Sequence, residues 1–229
     1  PLWSDVPVLA VVPHLFGTTA YREVGPVKAA YVNLLESLIP RIYRGCPFVA
    51  ISESTRRDLV RRGVPGESVE VVPCGMETKV YRPDPQVPVD MGRFVYLGRL
   101  RKYKGVQHAL RALAILRERR TDVRLTVLGD GDYAADLKKL CRRLGLEDLV
   151  DFEGFVPLDR KLFCLRNCCA AVFPSEKEGW GLTVIEANCC GTPVIASRSD
   201  GLSDSVRHGE TGLLVPHGNP EELADAMER

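Results

Sequence analysis

No stretch of the chain approaches the roughly 18 consecutive apolar residues that a bilayer-spanning helix needs, and the N-terminus has neither the charged start nor the small-residue cleavage site of a secretory leader. The chain therefore reads as cytosolic, with at most a peripheral membrane contact. An excess of one charge is also lacking. Lys and Arg number 31 against 30 Asp and Glu, a net charge of +1, so no global field advertises nucleic acid as a partner and any anion site must be local. Zinc-type spacing is missing too. The eight cysteines comprise two adjacent pairs, Cys168-Cys169 and Cys189-Cys190, with Cys46, Cys74, Cys141 and Cys164 scattered singly, and none shows the C-x2-C spacing that aims two thiolates at one ion. No metal is expected, and the pairs, set in helical, alanine-like patterns, read as small buried hydrophobes. Repeats and low-complexity tracts are absent.

What is present is an ordinary globular composition, 45% apolar and 27% charged, too apolar for disorder. Six arginines (Arg41, Arg44, Arg56, Arg57, Arg61 and Arg62) stand against only Glu53 and Asp58. This stretch reads as a solvated helix face, with anionic lipid headgroups as the alternative partner. The opening Pro1-Leu2-Trp3-Ser4 reads like sequence from the middle of a domain, so the chain is expected to be a piece of a longer protein.

Short apolar runs alternate with amphipathic stretches, the pattern of strands and crossover helices in a parallel α/β sheet. Strands are expected at 8–12, 48–52 and 69–72 and helices at 27–38 and 55–62, the latter capped by Ser52 or Ser54. Three prolines between Tyr81 and Pro88 mark an extended linker. Beyond it the cycle restarts, with strands at 94–97, 124–128, 150–152, 170–173, 193–196 and 212–215. Helices follow at 106–119, 134–144, 159–167, 182–189 and 220–227, with a helical turn after Asp200. The expected architecture is two Rossmann-like domains, the first one truncated: residues 1–83, a linker at 84–91, and a second domain at 92–229.

Ligands of open parallel sheets lie beyond the carboxyl ends of the strands, and four loops there stand out. Gly98-Arg99-Leu100-Arg101-Lys102-Tyr103-Lys104-Gly105 combines turn-forming glycines with cations suited to a diphosphate, although a solvated basic turn would look the same. In Glu178-Gly179-Trp180-Gly181-Leu182-Thr183-Val184-Ile185-Glu186, Gly179 and Gly181 bare the amides where a helix begins, a ready anion site. The carboxylates make sense there as acceptors of sugar hydroxyls, Glu178 in the loop and Glu186 two turns on; taken singly, they read as a helix-start carboxylate and a solvated helix position. Gly129-Asp130-Gly131-Asp132-Tyr133-Ala134 fits the dinucleotide fingerprint G-x-G-x-x-A, with Asp151 and Glu153 about 20 residues on. It reads better as a tight strand-to-helix turn, as does the Asp130/Asp132 pair that elsewhere could hold a divalent cation. Gly154-Phe155-Val156-Pro157 exposes backbone groups that could read a nucleobase edge, or is a plain loop.

These segments, together with G-T-P-V-I-A-S and H-G-E-T-G-L-L-V, resemble glycosyltransferase family 4, enzymes of the two-Rossmann GT-B fold, in order and spacing over nearly all of residues 92–229. V-P-C-G-M-E-T-K-V-Y-R-P resembles the family's segment before the second domain, with Cys74 where Asn is common. The resemblance implies a retaining, metal-independent transfer of a hexose-type sugar, without a cofactor, from a nucleotide-diphosphate sugar to a sugar, lipid-linked or other hydroxyl acceptor. Arg99 and Lys104 would bind the donor diphosphate beside Gly98, Glu178 the transferred sugar and Glu186 the ribose. Amides from Gly179 through Trp180 and Gly181 to Leu182 would complete the contacts, with Phe155 and Val156 at the base. His14, in V-V-P-H-L-F-G, matches the histidine that such enzymes place near the reacting carbon. The competing readings are an NAD-dependent oxidoreductase using the 129–134 turn and a non-catalytic nucleotide-sugar-binding fragment.

Overall fold

Runs that are apolar on both faces become strands of parallel sheets, since only a strand covered on both sides can dispense with polar alternation. The computed structural model describes residues 5–229, which divide into two compact units, one of residues 5–75 with 178–180 and one of residues 76–177 with 181–229. The division falls ahead of the proline-rich segment at which the sequence places its boundary.

In the first unit, strands β1 (Ala10–Val12), β2 (Phe48–Ala50) and β3 (Val69–Val71) form a three-stranded parallel sheet in that order. Helices α1 (Ala20–Glu23), α2 (Pro26–Ile42) and α3 (Glu53–Arg61) connect them. Leu15, Phe48, Leu59 and Val64 make the small core. Helix α2 runs four residues past the expected end at Leu38, through Pro40. So close to the terminus, the missing proline N–H forfeits a single hydrogen bond.

Buried Glu36 on α2 accepts from the amides of Phe16 at 2.6 Å and Gly17 at 3.0 Å and pairs with Arg62 at 3.0 Å. Arg56 pairs with Glu53 at 3.0 Å and Arg61 with Asp58 at 3.5 Å. Arg56, Arg61 and Arg62 of the arginine-rich stretch are thus matched by acids within the unit. Among the described residues no helix is long and apolar enough to cross a membrane.

Of the two serines proposed to cap α3, Ser52 does so: its fully buried hydroxyl accepts from the Thr55 amide at 3.1 Å and donates to Thr55 Oγ1 at 2.9 Å. Ser52→Ala is expected to cost about 1–2 kcal/mol, read as a lower urea midpoint with an unchanged m-value.

The second unit contains strands β4 (Asp90–Leu97), β5 (Arg124–Leu128), β6 (Val150–Gly154), β7 (Cys168–Phe173), β8 (Val194–Ser197) and β9 (Gly212–Val215). They form a six-stranded parallel sheet in the order β6-β5-β4-β7-β8-β9. Between them run α4 (Val106–Leu116), α5 (Ala134–Arg143), α6 (Leu158–Asn167), α7 (Leu182–Cys189) and α8 (Leu202–Ser205), and α9 (Pro220–Glu228) follows. Alternation along β4 sends Phe94 and Tyr96 to one face, where α4, α5 and α9 contribute Leu110, Leu137 and Met227, and Val95 to the other, where α6, α7 and α8 contribute Leu165, Val184 and Leu202. This is a doubly wound Rossmann sheet.

Two sequence expectations change. Strand β4 begins at Asp90 rather than Phe94 and takes the last residues assigned to the linker. It passes through Gly92, whose lack of a side chain admits the Asp122 carbonyl. Cys168 and Cys169 open strand β7 instead of lying in a helix. Cys168 is buried, and burial pushes its thiol well above the usual value.

Candidate functional site

The order of the second sheet reverses at its middle. From β4 the chain crosses to one side through α4, and from β7 to the other through α7, which makes this carboxyl edge the switch point, where open parallel sheets have their ligand crevice. The 98–105 loop is fixed from below. Gly98 donates to Leu128 O at 3.0 Å, Leu100 to Asp130 O at 2.9 Å, and the buried Tyr96 hydroxyl to Arg99 O at 3.1 Å. It is also sewn to the chain leaving β7: Glu176 N donates to Tyr103 O at 2.8 Å and Ser175 Oγ to Lys104 O at 3.4 Å.

Both helices that start here begin on a left-handed glycine with no side-chain cap, Gly105 (φ 75°) for α4 and Gly181 (φ 82°) for α7. Their first amides, unclaimed by a capping side chain, present the positive ends of two helix dipoles. Arg99 is exposed, and Lys104 is half-buried with its Nζ 5.2 Å from the Tyr103 ring. Gly98, Arg99, Lys104, Gly181 and the exposed Leu182 therefore share one edge of the sheet. His108, in the first turn of α4, adds no charge to it: burial first, then His217 and Arg111, push its imidazole down to about 4. Its ring meets that of His217 edge-on at 5.3 Å.

Glu186 is not the solvated helix position its spacing allows. Its side chain is 13% exposed, and Oε1 accepts from Lys161 Nζ at 2.7 Å. The same ammonium donates to the Tyr81 hydroxyl at 2.8 Å, and Glu186 Oε2 is buried without a hydrogen-bond partner. Neither Lys161 nor Tyr81 carried any sequence signal, since a lysine on an amphipathic helix and a tyrosine in a proline-rich segment meet only through packing. Beyond β6, Phe155 is 92% exposed, while Val156 packs against the core.

The dinucleotide fingerprint dissolves into turn geometry. A Cβ on Gly129 would strike the Gly98 carbonyl and one on Gly131 the Leu100 carbonyl, so these glycines admit the 98–100 backbone rather than a pyrophosphate. Asp130 caps its own turn through Gly131 N at 2.7 Å, and Asp132 pairs with Arg101 at 2.6 Å. Glu153, with an Oε2–Arg160 Nε distance of 2.8 Å, is committed as well.

In the first unit, His14 lies exposed just beyond β1, its ring 4.8 Å from Phe16. Glu178, Gly179 and Trp180 belong to this unit; a Cβ on Gly179 would press on the Pro13 carbonyl at 2.7 Å, and Trp180 Nε1 is buried without a partner. Among the described residues, no three His, Cys, Asp or Glu are grouped so as to hold a metal ion.

The model of the family "Glycosyl transferases group 1" matches residues 77–229. The chain belongs to this family. Among curated relatives of the chain, a D-inositol 3-phosphate glycosyltransferase of Pseudarthrobacter chlorophenolicus is 34% identical over 79% of the chain and 46% of its own length. A GDP-mannose-dependent alpha-(1-6)-phosphatidylinositol monomannoside mannosyltransferase of Mycobacterium tuberculosis is 30% identical over 96% of the chain and 60% of its own length. Among solved structures, sucrose-phosphate synthase from Thermosynechococcus elongatus superposes with a TM-score of 0.82 at 27% identity, covering 100% of the chain and 59% of that protein. The fold is the GT-B fold of these enzymes. The chain spans about half the length of the curated relatives it matches.

Proposed function

We propose that the chain carries the donor-binding half of a retaining, metal-independent glycosyltransferase that moves a hexose-type sugar from a nucleotide-diphosphate donor to a hydroxyl of a sugar or lipid-linked acceptor. The observation that carries the reading is the switch point of the second sheet, where two uncapped helix N-termini, Arg99 and Lys104 gather at one edge. Cleaving the bond between anomeric carbon and phosphate leaves negative charge on the diphosphate and positive charge on the sugar. Donors fixed in advance on the leaving group are therefore what the reaction needs most.

Arg99, Lys104 and the amides of Gly181 and Leu182 supply that stabilisation with no resident cofactor. Glu178 orients the sugar hydroxyls, Glu186 receives the ribose, and Phe155 with Val156 borders the base. His14 acts beside the reacting carbon. The leaving phosphate takes the acceptor's proton on the face it vacates, which retains configuration. The relative from Mycobacterium tuberculosis, by name a GDP-mannose-dependent enzyme acting on a phosphatidylinositol mannoside, supports a nucleotide-sugar donor and a sugar-bearing acceptor.

Calorimetric titration in EDTA with UDP, GDP, ADP and NAD tests the reading. One nucleoside diphosphate is expected to bind without metal and NAD is not. Binding of NAD alone, or a diphosphate that binds only when Mg²⁺ is restored, would sink it.

A further inference from the structure

We propose that Lys161 is the positioning residue for Glu186: it occupies one carboxylate oxygen so that the other is held as the acceptor for the ribose hydroxyls of the nucleotide, and it thereby sets the preference for ribo- over deoxyribonucleotides. The inference rests on the reading of Glu186 as the ribose acceptor and names what makes that residue competent.

The arrangement has three parts. Lys161, on α6, is anchored twice, to Glu186 Oε1 at 2.7 Å and to the Tyr81 hydroxyl at 2.8 Å, with its ammonium 4.9 Å from the Tyr81 ring centre. Tyr81 is itself held in place, because the segment around it is fastened to α6 by Arg166 donating to Arg82 O at 2.9 Å and by Asn167 donating to Pro88 O at 2.6 Å. The lysine cannot swing toward solvent without giving up both partners. Burial acts to lower its ammonium, but the hydrogen bonds to Glu186 and Tyr81 outweigh burial and hold it above the ordinary lysine value. Burial, helped by Glu186, raises the Tyr81 phenol against the pull of Lys161, so it stays neutral.

The third part is what the pair leaves over. A carboxylate offers about four lone-pair sites, and a salt bridge placed only to stabilise the fold would engage both oxygens or leave the second in water. Here Glu186 Oε2 is buried and without a partner. A buried polar atom in that state calls for a donor not yet present, and a vicinal diol supplies two. The cation keeps the carboxylate charged, which makes the bond to the diol charge-assisted and therefore discriminating.

The test compares the affinities of UDP, GDP and ADP with those of their 2′,3′-dideoxy analogues, for the whole chain and its variants, with thermal melts alongside. The unaltered chain is expected to prefer the ribonucleotide about tenfold or more. Glu186→Ala brings the ratio to about one, and Lys161→Met lowers it at least threefold while leaving dideoxy affinity unchanged. Lys161→Arg restores most of it. If Lys161→Met does not fold, Lys161→Gln, which keeps a donor but no charge, is judged on the same ratio. A preference that Glu186→Ala leaves intact, or binding of none of the three nucleotides, refutes the ribose reading itself. A preference abolished by Glu186→Ala but untouched in the lysine variants refutes the positioning role alone, as does an equal loss of ribo and dideoxy affinity in the lysine variants.

Discussion

Gly105→Ala is expected to destabilise the second unit by about 3–5 kcal/mol, far more than the same change at Gly209. Both glycines sit at positive φ, 75° and 84°, so alanine suffers the left-handed strain of about 1–2 kcal/mol at either place. Their surroundings differ. A Cβ on Gly209 would meet nothing within 4 Å, whereas one on Gly105 would run into the Pro174 carbonyl. That carbonyl directly follows β7 and cannot yield cheaply, because Ser175 next to it is tied to Lys104 O and Glu176 to Tyr103 O. Urea melts of the two variants read the difference. Equal losses would mean that the loops leaving β4 and β7 are not sewn together in solution. A selective loss at Gly105, accompanied by loss of nucleotide binding, would tie the crevice to that close approach.

The same glycine shows what a sequence can tell and what it cannot. Glycines at both ends of the 98–105 loop mark a turn, but which backbone lies against Gly105 depends on a strand some 70 residues later. Elements bounded by local signals were legible to the residue: α7 begins after Gly181, and β5 and β9 run as the apolar pattern predicts. Boundaries lacking such signals drifted. Helix α2 passes Pro40, with Ile39 and Tyr43 on either side of it packed against the core of the first unit, and β4 gains four residues at its start. Charges left an alternative open beside the preferred turn reading. Asp130, Asp132 and Glu153 also fitted ligand-binding acids, and the structure supports the turn, with Gly131 N, Arg101 and Arg160 claiming them. Glu186 stood out by its place in the motif, but its buried free oxygen arises from Lys161, 25 residues earlier, and no periodicity reports such a meeting.

Lys104→Ala is expected to weaken nucleoside diphosphate binding by about 10–100-fold, corresponding to a charge-assisted contact of about 1.5–3 kcal/mol, and to change monophosphate binding less than about threefold. The lysine lies half-buried at the turn that opens α4, on the sheet edge that also carries a second uncapped helix start, so its charge acts where water screens it poorly. Arg99 is exposed on the same loop, and its contribution should be smaller and fade with salt, because beyond a Debye length of about 8 Å at physiological ionic strength exposed charges are largely screened. Titrations of both alanine variants at 50 and 500 mM NaCl separate the two. The Arg99→Ala deficit should shrink at high salt while that of Lys104→Ala persists. If both deficits vanish together, the loop is only a solvated basic turn that attracts any anion. If the Lys104 deficit also appears with monophosphates, the lysine reads the phosphate nearest the nucleoside, and the diphosphate lies the other way round between the two helix ends.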